Sequence, residues 1–182
     1  MRHLTILLDP GRLKRRVGPN RELGPPLKAG QKYTLAVGSG MVDFSGRTLC
    51  KGFQKSFHVT EPVRQHIALE QWKVLPPATN GRQPLALIFP RPLDWASLQH
   101  CITIASASGQ PVSGRIAVDQ GEKRWSFTPA LPWTAGRYCL RVASSVEDVC
   151  GNNLYGAFDK ALRSAGDLAH ERTYRSILVR LV

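Results

Sequence analysis

Two stretches of this chain read alike. One runs Gly30, Tyr33, Leu35, Val37, Asp43, Gly46, Leu49, Phe53, and the other runs Gly136, Tyr138, Leu140, Val142, Asp148, Gly151, Leu154, Phe158. From the tyrosine onward every interval is the same, which describes an internal duplication with a period of about one hundred residues. That period is too long for a solenoid repeat and suits a small all-β domain used twice. Within each copy the large apolar residues alternate, so Tyr33, Leu35 and Val37 share one strand face, as do Tyr138, Leu140 and Val142. Those faces are the expected core faces. Asp43 and Asp148 then open D-x-x-G turns, in which the carboxylate accepts backbone N–H bonds and the glycine takes a positive φ.

The segments around the repeat read as further strands. Leu4 to Leu8 is a β-like apolar run closed by Asp9-Pro10-Gly11, and Trp125 to Pro129 has the same strand-then-proline form ahead of the second copy. The last strand is expected at Lys55 to Val59 in the first copy. In the second it is expected at Arg175 to Val182, after a polar, helix-compatible stretch from Asp159 to Arg172. Between the copies Thr60-Glu61-Pro62 marks a linker. Strands are expected at Trp72 to Leu75, Leu85 to Phe89 and Cys101 to Ala105, with one helical turn over Leu93 to Gln99. Gly114 to Val118 and Arg124 to Thr128 read as a hairpin around Gln120-Gly121. From Trp72 to Val182 this makes seven or eight strands, enough for a complete β-sandwich.

The first copy is shorter. It starts at the strand matching Trp125 to Thr128, and nothing upstream matches Trp72 to Val118. Three strands alone would leave an apolar face and sheet edges open. The expected organisation is therefore an incomplete second sandwich over residues 1–60, its C-terminal half only, followed by a complete sandwich over residues 61–182. Such a half-domain belongs to a fragment of a longer array, or packs on the second domain, or self-associates with another molecule.

Several residues of the second copy carry a family resemblance: Phe89 before Pro92-Leu93, then Phe127-Thr128-Pro129, Gly136-Arg137-Tyr138, and Asp148-Val149-Cys150-Gly151-Asn152. This series resembles the bacterial Ig-like domains of the surface-layer-protein type, with their F-x-P strand, G-x-Y-x-L-x-V strand and closing D-x-x-G-N turn. It covers nearly all of residues 61–182, and the first copy repeats only the last part, with Arg47 in place of the asparagine. The resemblance implies an Ig-like, Greek-key β-sandwich. It further implies a non-catalytic spacer or binding module in the cell envelope or in a secreted protein, whose partners are proteins or cell-surface polymers.

Charge offers a second reading. The formal net charge is +12, and residues 1–60 hold 11 Lys or Arg against 3 Asp or Glu. The densest run contains Arg12, Lys14, Arg15 and Arg16, which could bind a polyanion such as nucleic acid or an acidic polysaccharide. A solvated loop is the simpler account. No base-reading aromatic pattern accompanies the run, so nucleic-acid binding there would be unspecific.

Enzyme chemistry finds no footing in the sequence. A nucleophile elbow, a phosphate loop and an H-E-x-x-H helix are all missing, and His3, His58, His66, His100 and His170 are scattered. No cofactor or metal is expected. Cys50, Cys101, Cys139 and Cys150 have no chelating spacing and read as free thiols. Asp43 and Asp148 offer few carboxylate neighbours for calcium and read as structural turns. Of Trp72, Trp95, Trp125 and Trp133, the sequence places Trp125 in the core and leaves Trp133, in a loop after Pro132, as the expected exposed indole for carbohydrate contact. No apolar run reaches the roughly 18 to 20 residues of a membrane helix, so membrane insertion is not expected. Met1 to Leu8 lacks the pattern of an export signal.

Overall fold

The computed structural model describes residues 6, 8, 9, 18–158 and 173–182. Arg12, Lys14, Arg15 and Arg16 lie outside these residues, as does the stretch from Asp159 to Arg172; Leu4 to Leu8 falls largely outside them. The chain divides into two compact units, Met1–Val63 and Arg64–Val182.

The first unit contains a short helix α1 (Gly18–Leu23) and an antiparallel pair, β1 (Lys32–Val37) and β2 (Phe53–His58). Helix α1 ends where Gly24, at φ 70°, donates its N–H to the Asn20 carbonyl, a left-handed C-terminal cap. The strand pairing runs from Lys32 opposite His58 to Val37 opposite Phe53. Alternation along β1 turns Tyr33, Leu35 and Val37 to one side, where Tyr33 stacks on Phe57 at 6.1 Å.

The second unit is antiparallel throughout. One sheet has the order β3-β4-β7-β6, formed by β3 (Lys73–Leu75), β4 (Leu85–Ile88), β6 (Gly114–Asp119) and β7 (Arg124–Pro129). The other has the order β5-β8-β9, formed by β5 (Ile102–Ser106), β8 (Gly136–Ala143) and β9 (Tyr174–Leu181). A short helix α2 (Trp95–His100) carries the chain from the first sheet to the second, and Asp94 caps it by accepting the Ser97 N–H at 2.7 Å. Nine strands among the described residues make the fold nearly all-β, and the two sheets of this unit bury their inner faces in one core, consistent with a β-sandwich.

The core follows from the alternation of the strands. Leu85, Leu87, Trp125 and Phe127 from the first sheet meet Ile102, Ile104, Leu140 and Val142 from the second. Each aliphatic side chain buried this way contributes about 1.5–3 kcal/mol of transfer free energy. Gly114 lies opposite Pro129 on β6, where a β-carbon would collide with the Phe127 ring and the Thr128 carbonyl, so the close approach of β6 to β7 requires a glycine there. The hairpin expected around Gln120-Gly121 is present, and at its tip Gln120, Gly121 and Glu122 all have positive φ.

Candidate interaction surfaces

The two D-x-x-G turns have the same internal hydrogen bonds. In the first, Asp43 Oδ1 accepts the N–H groups of Ser45 (2.8 Å) and Arg47 (3.0 Å), while Gly46 N–H donates to the Asp43 carbonyl (2.9 Å). In the second, Asp148 Oδ1 accepts from Cys150 and Asn152 (2.9 Å each), and Gly151 N–H donates to the Asp148 carbonyl (2.9 Å). The glycines have φ 76° and 78°. Arg47 stands where the second turn has Asn152. Its guanidinium reaches Asp43 Oδ2 through Nε (2.9 Å) and Nη2 (2.8 Å), where Asn152 Nδ2 reaches Asp148 Oδ2 at 2.9 Å.

The surroundings of the turns differ. Asp148 is 2% exposed and also takes a 2.8 Å ion pair from Arg91 Nε. The Arg91 Nη2 donates onward to the carbonyls of Gln65 (2.7 Å) and His66 (3.2 Å), so one guanidinium ties the start of the unit to this turn. Asn152 Oδ1 accepts the Phe158 N–H at 3.1 Å and holds the following segment. With both oxygens engaged by protein donors, the Asp148 carboxylate is built as the anchor of a loop cluster. Beside it, Glu147 is raised above the ordinary carboxylate range, first by desolvation and then by the charges of Asp94 and Asp148.

A tyrosine hydroxyl fastens each strand to the loop before it. Tyr138 donates to the Thr134 carbonyl (3.2 Å) and accepts the Thr134 N–H (3.3 Å), and Tyr33 accepts the Lys28 N–H (3.0 Å). Yet the faces they share have opposite fates. Tyr138, Leu140 and Val142 are all buried, at 7%, 0% and 0% exposure. Tyr33, Leu35 and Val37 are each only partly covered by the described residues, and Phe53 beside them is 54% exposed. Met41, Val42 and Phe44 extend this apolar surface along the connection between β1 and β2.

The expected exposure of Trp133 is corrected. Its indole is 1% exposed, packs edge-on against Tyr138 at 5.2 Å, and donates Nε1–H to the Gln83 carbonyl at 2.8 Å. A buried indole presents no stacking face to a sugar. The flanking Pro132 signalled a loop, but the ring satisfies its polar edge on a backbone carbonyl and fills the core like a strand residue. Trp125 is buried as expected, with Nε1–H donated to the Leu98 carbonyl at 3.0 Å. The cysteines are all free thiols. His100 and Cys101 end helix α2, and among the described residues no group of His, Cys, Asp and Glu has metal-binding geometry.

A shallow cleft lined by Ile67, Trp72, Arg91 and Leu93 encloses about 10 Å³, room for a single water rather than for a small-molecule ligand. No helix among the described residues is long and apolar enough to cross a membrane. Sequence reasoning missed Arg91, because an arginine between two prolines carries no signal of its partner fifty-odd residues on. It also missed the outer face of β8 and β9, which reads Arg137, Cys139, Arg141 against Arg180, Leu178, Ser176. Comparison with protein-family models and with curated proteins finds no match to this chain.

Proposed function

We propose that this protein is a non-catalytic structural or interaction module of a bacterial cell envelope or secreted protein. In this reading its second unit is an immunoglobulin-like sandwich and its first is the C-terminal half of another. The strand order β3-β4-β7-β6 facing β5-β8-β9 supports the immunoglobulin-like reading, because it corresponds to the ABED and CFG sheets of a seven-stranded domain of that type. The Tyr138 hydroxyl bonded to Thr134 supports it too, being the tyrosine corner expected at the start of the F strand. On this reading β1 and β2 correspond to β8 and β9, and the chain is an internal duplication whose first copy has its F and G strands.

The observation that carries the function is the contrast between Leu140 and Leu35. The same face is sealed by an opposing sheet in the second unit and is only partly covered by the described residues of the first. A face of this composition seats an opposing apolar sheet, and assembly through it is the proposed role. Limited trypsin digestion with intact-mass readout tests the idea, run as a concentration series beside sedimentation. In dilute solution the expected product begins near Arg64, with early cuts at Lys32, Lys51 and Lys55. Concentration or a partner that covers the face protects those sites. A hairpin as resistant as the second unit in a strictly monomeric sample would show the face already sealed within one chain, and the assembly role would fall.

A further inference from the structure

Strand β9 closes one side of the β5-β8-β9 sheet, and no described strand pairs with its outer edge. Ser144 N–H donates to the Thr173 carbonyl at 2.9 Å, which fixes the phase of the antiparallel ladder. Hydrogen-bonded and non-hydrogen-bonded pairs alternate from there, so Tyr174, Ser176, Leu178 and Arg180 turn their N–H and C=O groups away from β8. No backbone hydrogen bond from another described residue meets them. Long open edges of this kind are templates for an added strand.

The side chains of the same four residues lie on the outer face of the sheet, and that face carries charge of one sign. That face holds Arg137, Arg141 and Arg180, and the strands β5, β8 and β9 contain no Asp or Glu. Arg175, on the inner face, pairs with Glu70 at 2.8 Å, while Arg137, Arg141 and Arg180 make no ion pair with another described residue. Arg137 stands directly opposite Arg180 across the ladder, a placement that is unfavourable without an anion between them. Further along, Arg141 lies over the ring of Tyr174 at 5.5 Å, and Leu178 is 77% exposed between the two arginine positions.

We infer that β9 is a docking edge for an extended acidic polypeptide segment that adds as a further strand. Its backbone pairs with the four outward-facing residues of β9. Its carboxylates meet the Arg137 and Arg180 pair, and an apolar side chain covers Leu178. Guanidinium groups suit this task because they bind carboxylates through two parallel hydrogen bonds. This surface lies wholly within the second unit and does not depend on the fate of the β1-β2 face.

The test uses the full chain and a short fluorescein-labelled peptide alternating Glu with Val, compared by anisotropy with the peptide carrying Lys for Glu. The Glu peptide is expected to bind, to weaken with salt, and to protect the β9 amides from hydrogen exchange. Leu178→Pro removes an outward N–H without touching the β8 ladder and should weaken binding about tenfold or more, since an edge proline blocks strand addition. Near-ultraviolet circular dichroism of the buried indoles reports whether that variant folds. The double variant Arg137→Glu with Arg180→Glu, at exposed positions, should exchange the preference and bind the Lys peptide. Equal binding of the two peptides, or affinity unchanged by Leu178→Pro in the folded variant, overturns the proposal. So does a preference for polyphosphate over the peptide. Concentration-dependent self-association that Leu178→Pro abolishes would assign the edge to a second copy and likewise overturn it.

Discussion

The β1-β2 hairpin and the β8-β9 hairpin share strand face, tyrosine anchor and turn chemistry, but they differ in what lies across from them. Tyr33 and Tyr138 each bond a backbone group a few residues upstream, and Asp43 and Asp148 close the same turn. Leu140 is nevertheless fully buried while Leu35 keeps part of its surface exposed among the described residues. Local sequence therefore specifies the hairpin, and long-range packing decides whether the hairpin is a core or a surface. The lesson extends to the turns, whose hydrogen bonds match although one carboxylate is buried and the other partly solvated.

The largest break in this correspondence is expected at the aspartates. Asp148 is buried and holds Arg91, Asn152 and two backbone N–H groups, so Asp148→Ala strands a guanidinium and several donors. Breaking a buried ion pair from one side costs about 3–5 kcal/mol. Asp43→Ala removes the same local bonds at a partly exposed site, and the loss there is about 1 kcal/mol. Because Trp72, Trp95, Trp125 and Trp133 all lie in the second unit, tryptophan fluorescence during urea unfolding reads that unit alone. Asp148→Ala should shift its midpoint strongly, and trypsin cleavage at Lys51 and Lys55 reads the smaller effect of Asp43→Ala in the first unit. An unmoved midpoint for Asp148→Ala would mean that the buried turn contributes no more than the exposed one, against its burial.

The next effect concerns the strand faces. Leu140→Ala opens a cavity in a sealed core and is expected to cost about 2–5 kcal/mol, whereas Leu35→Ala in the monomeric chain is expected to cost less than about 1 kcal/mol. Urea unfolding of the second unit by fluorescence, and proteolysis rates at Lys32 and Lys55 in the first, give the two numbers. A large loss at Leu35 would show that its face is packed as tightly as that of Leu140.

Much of this was legible beforehand, for identifiable reasons. Alternation in Tyr138-Cys139-Leu140-Arg141-Val142 fixes which residues face inward, and aspartate with glycine three residues on fixes the turn. The strand expected at Arg175 to Val182, as the last strand to follow the turn, is β9 at Tyr174–Leu181. The matching Phe53 and Phe158 were misleading: Phe53 begins β2, whereas Phe158 donates its N–H to Asn152 Oδ1 ahead of β9. By register it is Arg175, opposite Val142, that stands where Phe53 stands opposite Val37. The burial of Trp133 and the pairing of Arg91 with Asp148 were illegible because both depend on contacts between distant elements, which no local spacing encodes.

The smallest expected effect sits one residue before each aspartate, where the first unit has Val42 and the second has Glu147. Desolvation, then the charges of Asp94 and Asp148, raises the Glu147 carboxyl above its usual value of 4.5. A raised acid is destabilised in its ionised form by the fold. Its favourable contribution is therefore complete below pH 4.5 and is lost as pH climbs through the raised native value. Glu147→Gln removes the ionisation and should raise the melting temperature of the second unit at neutral pH, with little change in acid. The shift should be small because Glu147 is an exposed residue whose carboxyl is only partly desolvated, and solvent screening weakens its repulsion from both aspartates. Val42→Gln in the first unit provides the matched control, since no carboxylate ionises at that position. Differential scanning fluorimetry of the indoles across pH 4 to 7 makes the measurement, and a Glu147→Gln profile parallel to that of the unaltered chain would show that neither desolvation nor the neighbouring carboxylates raise Glu147 in the fold.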